Sequence, residues 1–155
     1  MGLFSRRRAL KYAEEGLTRY ESGDLKGAEA FFLKGLKEDD SLANLHYFYG
    51  KLLMDTARPR AAEKELRRAI ELEEGFAEAH SALGSLLHEQ GRFREAEEHY
   101  LLALKYKPDY EEVYRNLAVL YRDTMQFEKV SEIAKKGLTY VTDPAIRKEL
   151  EDMIF

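Results

Sequence analysis

The sequence predicts an all-α protein built from repeated helix–turn–helix units, and three observations carry that prediction. The first is a 34-residue period, which sets Gly84 in register with Gly16, Gly50 and Ala118, and Ala96 with Ala28, Ala62 and Val130. The second is the helical spacing of apolar residues inside each period, as at Tyr12, Gly16, Leu17 and Tyr20 before the turn Ser22-Gly23-Asp24. The third is composition: 35% charged beside 45% hydrophobic residues over 155 positions suits amphipathic helices with a charged outer face and does not suit disorder.

Taken in order, residues 1–8 are expected to be a flexible basic N-terminus, with Phe4 close to Arg6, Arg7 and Arg8. A single domain should follow over 9–155, made of four repeats and a closing helix. Repeat one, 9–42, carries Tyr12, Ala13, Gly16, Leu17 and Tyr20 on its first helix and Ala28, Phe31, Phe32 and Gly35 on its second. Repeat two, 43–76, carries His46, Tyr49, Gly50 and Leu53, then turns at Ala57-Arg58-Pro59, where proline suits the opening turn of a helix. Repeat three, 77–110, runs through His80, Leu83, Gly84 and Leu87, breaks at Gly91, and continues through Ala96, Tyr100 and Ala103. Repeat four, 111–144, keeps Tyr114, Leu117, Ala118 and Tyr121, but has Met125 in place of the turn glycine and Val130, Ala134 and Gly137 on its second helix, which is expected to pack less regularly. Asp143-Pro144 then opens a capping helix, 144–155, as an N-cap followed by a proline at the first helical position. Its Ile146, Leu150, Met153 and Ile154 share one face.

The residue sizes follow from packing. Paired helices reach an axis separation of about 8–10 Å only where the residues at the crossing are small. Gly50, Gly84, Ala62 and Ala96 supply that clearance, and Tyr49, Leu83, Leu66 and Tyr100 fill the space beside it. One hairpin cannot bury its own apolar stripe, so neighbours must stack and stability accumulates between them.

Period and size classes together resemble the tetratricopeptide repeat (TPR) family. That resemblance implies a right-handed α-solenoid of helix–turn–helix repeats whose first helices line a concave groove for a peptide of another protein. Glu15 and Arg19 depart from the family's large apolar residues, as a terminal repeat with one neighbour permits. The candidate partner-binding residues are those the resemblance puts in the groove. Leu17, Tyr20 and Glu21 come from repeat one, and Tyr47, Lys51, Met54 and Asp55 from repeat two. Ser81, Ser85, His88 and Glu89 come from repeat three, and Arg115, Val119, Arg122 and Asp123 from repeat four. The first half is apolar and aromatic and the second polar and charged, so the expected ligand carries a large apolar anchor and basic residues.

One column of that groove is acidic throughout: Glu21, Asp55, Glu89 and Asp123. Carboxylates in the last turn of a helix oppose the macrodipole at a cost of a few tenths of a kcal/mol each, which hints at use. The alternative is local pairing of Asp55 with Arg58 and of Glu89 with Arg92. The two-carboxylate clamp by which some TPR domains hold heat-shock chaperone tails is not matched. One register gives Ala13, Leu17, Phe48, Glu78 and Ala82, and the next gives Tyr47, Lys51, Ala82, Glu112 and Asn116.

Several function classes find no support in the residues. The chain has no cysteine, hence no disulfide or thiolate chemistry, and a net charge of -4 argues against a nucleic-acid partner. No apolar run reaches membrane-spanning length, and residues 1–8 lack the apolar core of a signal peptide. His88-Glu89 resembles the start of a zinc-protease motif, but Arg92 stands where the second histidine is needed. No catalytic, cofactor or metal site is expected. The expectation is a cytoplasmic, non-enzymatic adaptor or scaffold that binds a protein segment; the alternative is a structural protein that assembles with copies of itself.

Overall fold

The computed structural model describes residues 2–155, and among these it contains nine α-helices and no strand. They are α1 (Leu3–Glu21), α2 (Leu25–Glu38), α3 (Ala43–Asp55), α4 (Pro59–Leu72), α5 (Ala77–Glu89), α6 (Phe93–Tyr106), α7 (Glu111–Asp123), α8 (Phe127–Leu138) and α9 (Pro144–Asp152). The chain divides into two compact units at Glu74/Gly75, in the loop between α4 and α5. Repeats touch only their neighbours, so each pair of hairpins can build a core of its own.

In the first unit, α1 pairs with α2 and α3 with α4. Its core holds Ala9, Ala13, Ala28, Phe32, Leu45 and Leu52, with Phe48 and Tyr49 packed against it. Helix α1 begins at Leu3, so most of the stretch expected to be a flexible lead-in is helical. Two contacts tie it down. The Arg8 guanidinium grips Glu38 at 2.7 and 2.9 Å, and Arg6 lies 3.7 Å from Asp39. The Asp39 carboxylate is buried, and the Ser41 hydroxyl and backbone N–H that donate to it hold its pKa below the ordinary range.

In the second unit, α5 pairs with α6 and α7 with α8, and α9 lies against both α7 and α8. Leu83, Leu87, Tyr100, Tyr114 and Leu117 are fully buried. The close approach of α5 and α6 is visible at Gly84, where a Cβ would stand 2.8 Å from the Tyr100 ring. Val130, Ala134 and Gly137 are buried like the small residues of the other repeats, and the irregularity appears as length: α8 has 12 residues where α6 has 14. Asp143 caps α9 by accepting from the N–H groups of Ala145 and Ile146 at 2.8 and 3.1 Å. Glu111 on α7 then holds the entry to α9, accepting from Thr142 N–H at 2.9 Å, Thr142 Oγ1 at 2.7 Å and Asp143 N–H at 3.0 Å. Those donors, led by the Thr142 hydroxyl, pull the Glu111 pKa down.

The turn inside each repeat uses a left-handed residue. Gly23 and Gly91 have φ of 86° and 74°, and Ala57 and Met125 adopt φ of 56° and 58° at the equivalent positions. The repeat geometry therefore imposes this conformation even on residues that pay about 1–2 kcal/mol for it.

A recurring pair of positions joins the two helices of the first three hairpins. Its first position holds Tyr12, His46, His80 and Tyr114, and its second holds Phe31, Glu65, His99 and Ile133. Tyr12 and Phe31 meet ring to ring at 6.2 Å, and His80 and His99 stack at 5.3 Å with their Nδ1 atoms 3.0 Å apart. His46 has an acceptor at each nitrogen: Nδ1 lies 2.6 Å from Glu65 and Nε2 2.8 Å from the Asp40 carbonyl oxygen. Both nitrogens can donate only in the imidazolium. Desolvation lowers the His46 pKa, but the Glu65 carboxylate and the Asp40 carbonyl outweigh it and leave it raised.

Three outcomes follow from this packing. Ala96→Leu, at a fully buried crossing, should cost about 1–3 kcal/mol in denaturant unfolding by overpacking. Met125→Gly should raise stability by about 0.5–1 kcal/mol, since it removes left-handed strain and loses only an exposed side chain. For His46 a raised folded pKa means stabilisation that is complete below the ordinary value of about 6.5 and lost as pH rises through the folded pKa. The melting temperature should accordingly fall as pH rises above that value, and His46→Phe should flatten this part of the profile.

Candidate functional site

The first helices of the repeats carry the candidate residues, and each unit presents one face of them. In the first unit the face is built by α1 and α3, which touch each other. Leu17, Tyr20, Tyr47, Lys51 and Met54 are half-buried there, while Glu21 and Asp55 are exposed. Gly16 faces Phe31 and Phe32 of α2 and Ala13 is buried, which leaves the adjacent positions of α1 on the outer face. The Tyr20 hydroxyl donates to Asp55 Oδ2, a hydrogen bond that ties α1 to α3. Burial and the neighbouring carboxylate both raise the Tyr20 pKa, so the phenol keeps its proton. Lys51 Nζ lies 5.6 Å from the centre of the Tyr47 ring, and Tyr47 in turn packs on Phe48 at 5.3 Å.

In the second unit the face is built by α5 and α7. His88 Nε2 lies 2.9 Å from Asp123 Oδ2, with the Phe93 ring edge-on to the imidazole at 5.7 Å. The Tyr20–Asp55 and His88–Asp123 bonds span the same 35-residue offset, so the two units close their first helices with one device. Ser81 is only 7% exposed and hydrogen-bonded to Tyr110, whose pKa rises through its own burial. Ser85 meets the Tyr100 hydroxyl at 3.1 Å. Both serines therefore serve the packing of their own unit, and Ser81 offers almost no surface to a ligand. Arg115 reaches toward Glu149 of α9 at 3.8 Å, Arg122 lies 3.6 Å from its neighbour Asp123, and Val119 is half-buried.

The acidic column thus separates into two kinds of carboxylate. Asp55 and Asp123 accept from Tyr20 and His88 and hold helices together. Glu21 and Glu89 are exposed and make no hydrogen bond or ion pair among the described residues. The local pairs the sequence suggested do not form, because better-placed carboxylates take the arginines. Arg58 grips Glu29 at 2.7 and 3.0 Å, and Arg92 grips Glu95 at 3.0 and 2.9 Å. Sequence reasoning missed the phenol and imidazole donors, although their residues stand one position before the acidic column and one period earlier. Among the described residues no three His, Cys, Asp or Glu side chains converge as a metal site needs, and no helix is long and apolar enough to cross a membrane.

Comparisons with known proteins fit this architecture. The family model for the tetratricopeptide repeat matches residues 43–76, and one for the TPR repeat matches residues 84–123. No curated protein matches the sequence. Among solved structures, pilF of Pseudomonas aeruginosa superposes with a TM-score of 0.86 at 24% identity, over 96% of this chain and 68% of that one. YrrB, a TPR protein with an unusual peptide-binding site, superposes with a TM-score of 0.78 at 25% identity, over 93% of this chain and 74% of that one. The first TPR of Spaghetti (RPAP3), bound to an HSP90 peptide, superposes with a TM-score of 0.74 at 20% identity, over 77% of this chain and 95% of that one. The two repeat matches, with helices α3, α5 and α7 starting one period apart at Ala43, Ala77 and Glu111, assign the chain to the tetratricopeptide repeat family.

Proposed function

We propose that this protein is a non-enzymatic interaction scaffold whose first-helix faces hold a peptide segment of another protein. The observation that carries the reading is the α1/α3 face, where Leu17, Tyr47 and Met54 stay half-exposed and the exposed Glu21 carboxylate makes no ion pair or hydrogen bond among the described residues. Large apolar side chains that a fold leaves uncovered beside fixed charge suit a ligand with one apolar anchor and flanking cations. Glu89 on α5 offers the same charge on the second unit. TPR proteins generally act as such scaffolds, and the peptide-bound neighbours support a protein partner. The cysteine-free composition suits a reducing cytoplasm.

Aromatic anchors dominate binding energy, whereas peripheral charges mainly set the association rate and its salt dependence. Peptides selected from a random display library on the folded protein should therefore carry a large apolar residue with nearby Lys or Arg. Tyr47→Ala should weaken them by about 1–2 kcal/mol, mostly through faster dissociation. Glu21→Lys combined with Glu89→Lys should slow association and flatten its dependence on salt. Calorimetry and surface plasmon resonance read both effects. Selected peptides that bind both variants like the parent would move the site off these faces.

A further inference from the structure

Two exposed apolar patches, one on each unit, take no part in the faces described above. The first lies on the stretch by which α1 outgrows its counterparts, 19 residues against 13 in α3. Leu3 and Phe4 are 80% and 76% exposed there, although Arg8–Glu38 holds this part of the helix in place. Phe4, Arg7, Leu10, Lys11 and Glu14 line a shallow hollow of about 600 Å³ together with Arg8. Arg7 and Lys11 make no ion pair among the described residues and outnumber Glu14, so the patch is apolar with a net positive border.

The second patch lies where the chain leaves α9 and returns to α8. Phe127 and Phe155 stand edge to face at 6.2 Å, and the Phe155 N–H donates to Ser131 Oγ at 3.2 Å. With Glu128 these residues line an open hollow of about 580 Å³. Phe155 is 81% exposed, and Met125, two residues before Phe127, is 78% exposed. Glu128 and Glu132 on the same helix make no ion pair among the described residues; of the lysines on α8, Lys129 pairs with Glu97, and Lys135 and Lys136 stand in its last turn, away from Phe127 and Glu128 at its start. This patch is apolar with a negative border.

We propose that the two patches meet between copies of this chain. The Leu3–Phe4 tip of one copy fills the Phe127–Phe155 hollow of a second, and Arg7 and Lys11 face Glu128 and Glu132. Charge decides the pairing. Either patch against itself would set arginine and lysine against arginine and lysine, or glutamate against glutamate, whereas one against the other pairs opposite signs. An anionic membrane would suit the first patch alone and would leave the carboxylate-bordered second hollow empty. Because the two surfaces differ, the contact is heterologous. Each added copy presents a fresh tip or a fresh hollow, so growth continues past a dimer into a chain or ring.

Sedimentation velocity on the intact protein, from micromolar to near-millimolar concentration, tests this. Wild type should grow beyond a dimer with concentration, and less so at high salt. Phe4→Glu and Phe127→Glu should each stay monomeric alone, yet form a one-to-one complex when mixed, because each retains the patch the other has lost. Both positions are exposed, and helical circular dichroism checks that the variants fold. If either does not, Arg7→Glu should abolish assembly and Glu128→Arg in the partner copy should restore it. A wild type that is monomeric throughout, or that stops at a symmetric dimer, overturns the proposal. So does a single variant that assembles like wild type, or a monomeric wild type whose Phe4 is needed for binding anionic vesicles. Tyr47→Ala should leave assembly unchanged, which separates this contact from peptide binding.

Discussion

The distance between the two helices of a hairpin is the constraint on which the rest of this structure depends. At Gly84 a single added carbon would press on the Tyr100 ring at 2.8 Å, and at Gly16 it would lie 2.6 Å from Phe32. With no carbon there, a large ring from the second helix lies flat on the first helix's backbone. The ring is buried, the axes close up, and the opposite side of the first helix is left clear of the core. That clear side is where Tyr47, Met54, Glu21 and Glu89 stand. The surface that can meet a partner is thus a by-product of where glycine and aromatic residues alternate in the interior.

Polar contacts add precision to a geometry that size alone makes approximate. Tyr20–Asp55 and His88–Asp123 each fasten one first helix to the next at the same offset. Glu111 fixes the chain's approach to α9 through three donors. A hydrogen bond of this kind contributes about 0.5–1.5 kcal/mol net, too little to drive folding but enough to select one arrangement among similar ones. Dedicating two members of the acidic column to this task leaves the other two chemically distinct despite identical sequence position.

Much of the fold was legible in the sequence because the rule that generates it is local and repeated. Size classes at Gly84, Ala96 and Tyr100 recur one period away, and helices α3, α5 and α7 begin where that period puts them. The residues that bury side chains against their own hairpin announce themselves by spacing. The candidate site was less legible. Ser81 looked like a groove residue but is buried against Tyr110, and Arg58 and Arg92 looked like partners of the acidic column but turn to Glu29 and Glu95. Long side chains choose among several carboxylates within reach, and that choice rests on differences of a few tenths of a kcal/mol that no period encodes. The Arg8–Glu38 pair that ties down the start of α1 was equally illegible, because it joins residues 30 positions apart.

The hairpin pairs and the clasps have opposite implications for how such a chain can be cut and rejoined. His46 finds Glu65, and His80 finds His99, inside the same helix–turn–helix segment. A repeat copied elsewhere in a gene would bring both halves of these pairs with it, although His46 would leave behind the Asp40 carbonyl of the preceding repeat. Tyr20 and His88, by contrast, depend on a carboxylate that belongs to the following repeat. Duplication, deletion or grafting at the 34-residue boundary therefore preserves the interior chemistry of each module but exchanges its fastening to the next. Compatibility between modules depends on the residue at the end of each first helix as well as on ion pairs such as Arg58–Glu29, and a designer joining repeats from different sources would need to match a donor at that end to an acceptor one position further on in the next repeat.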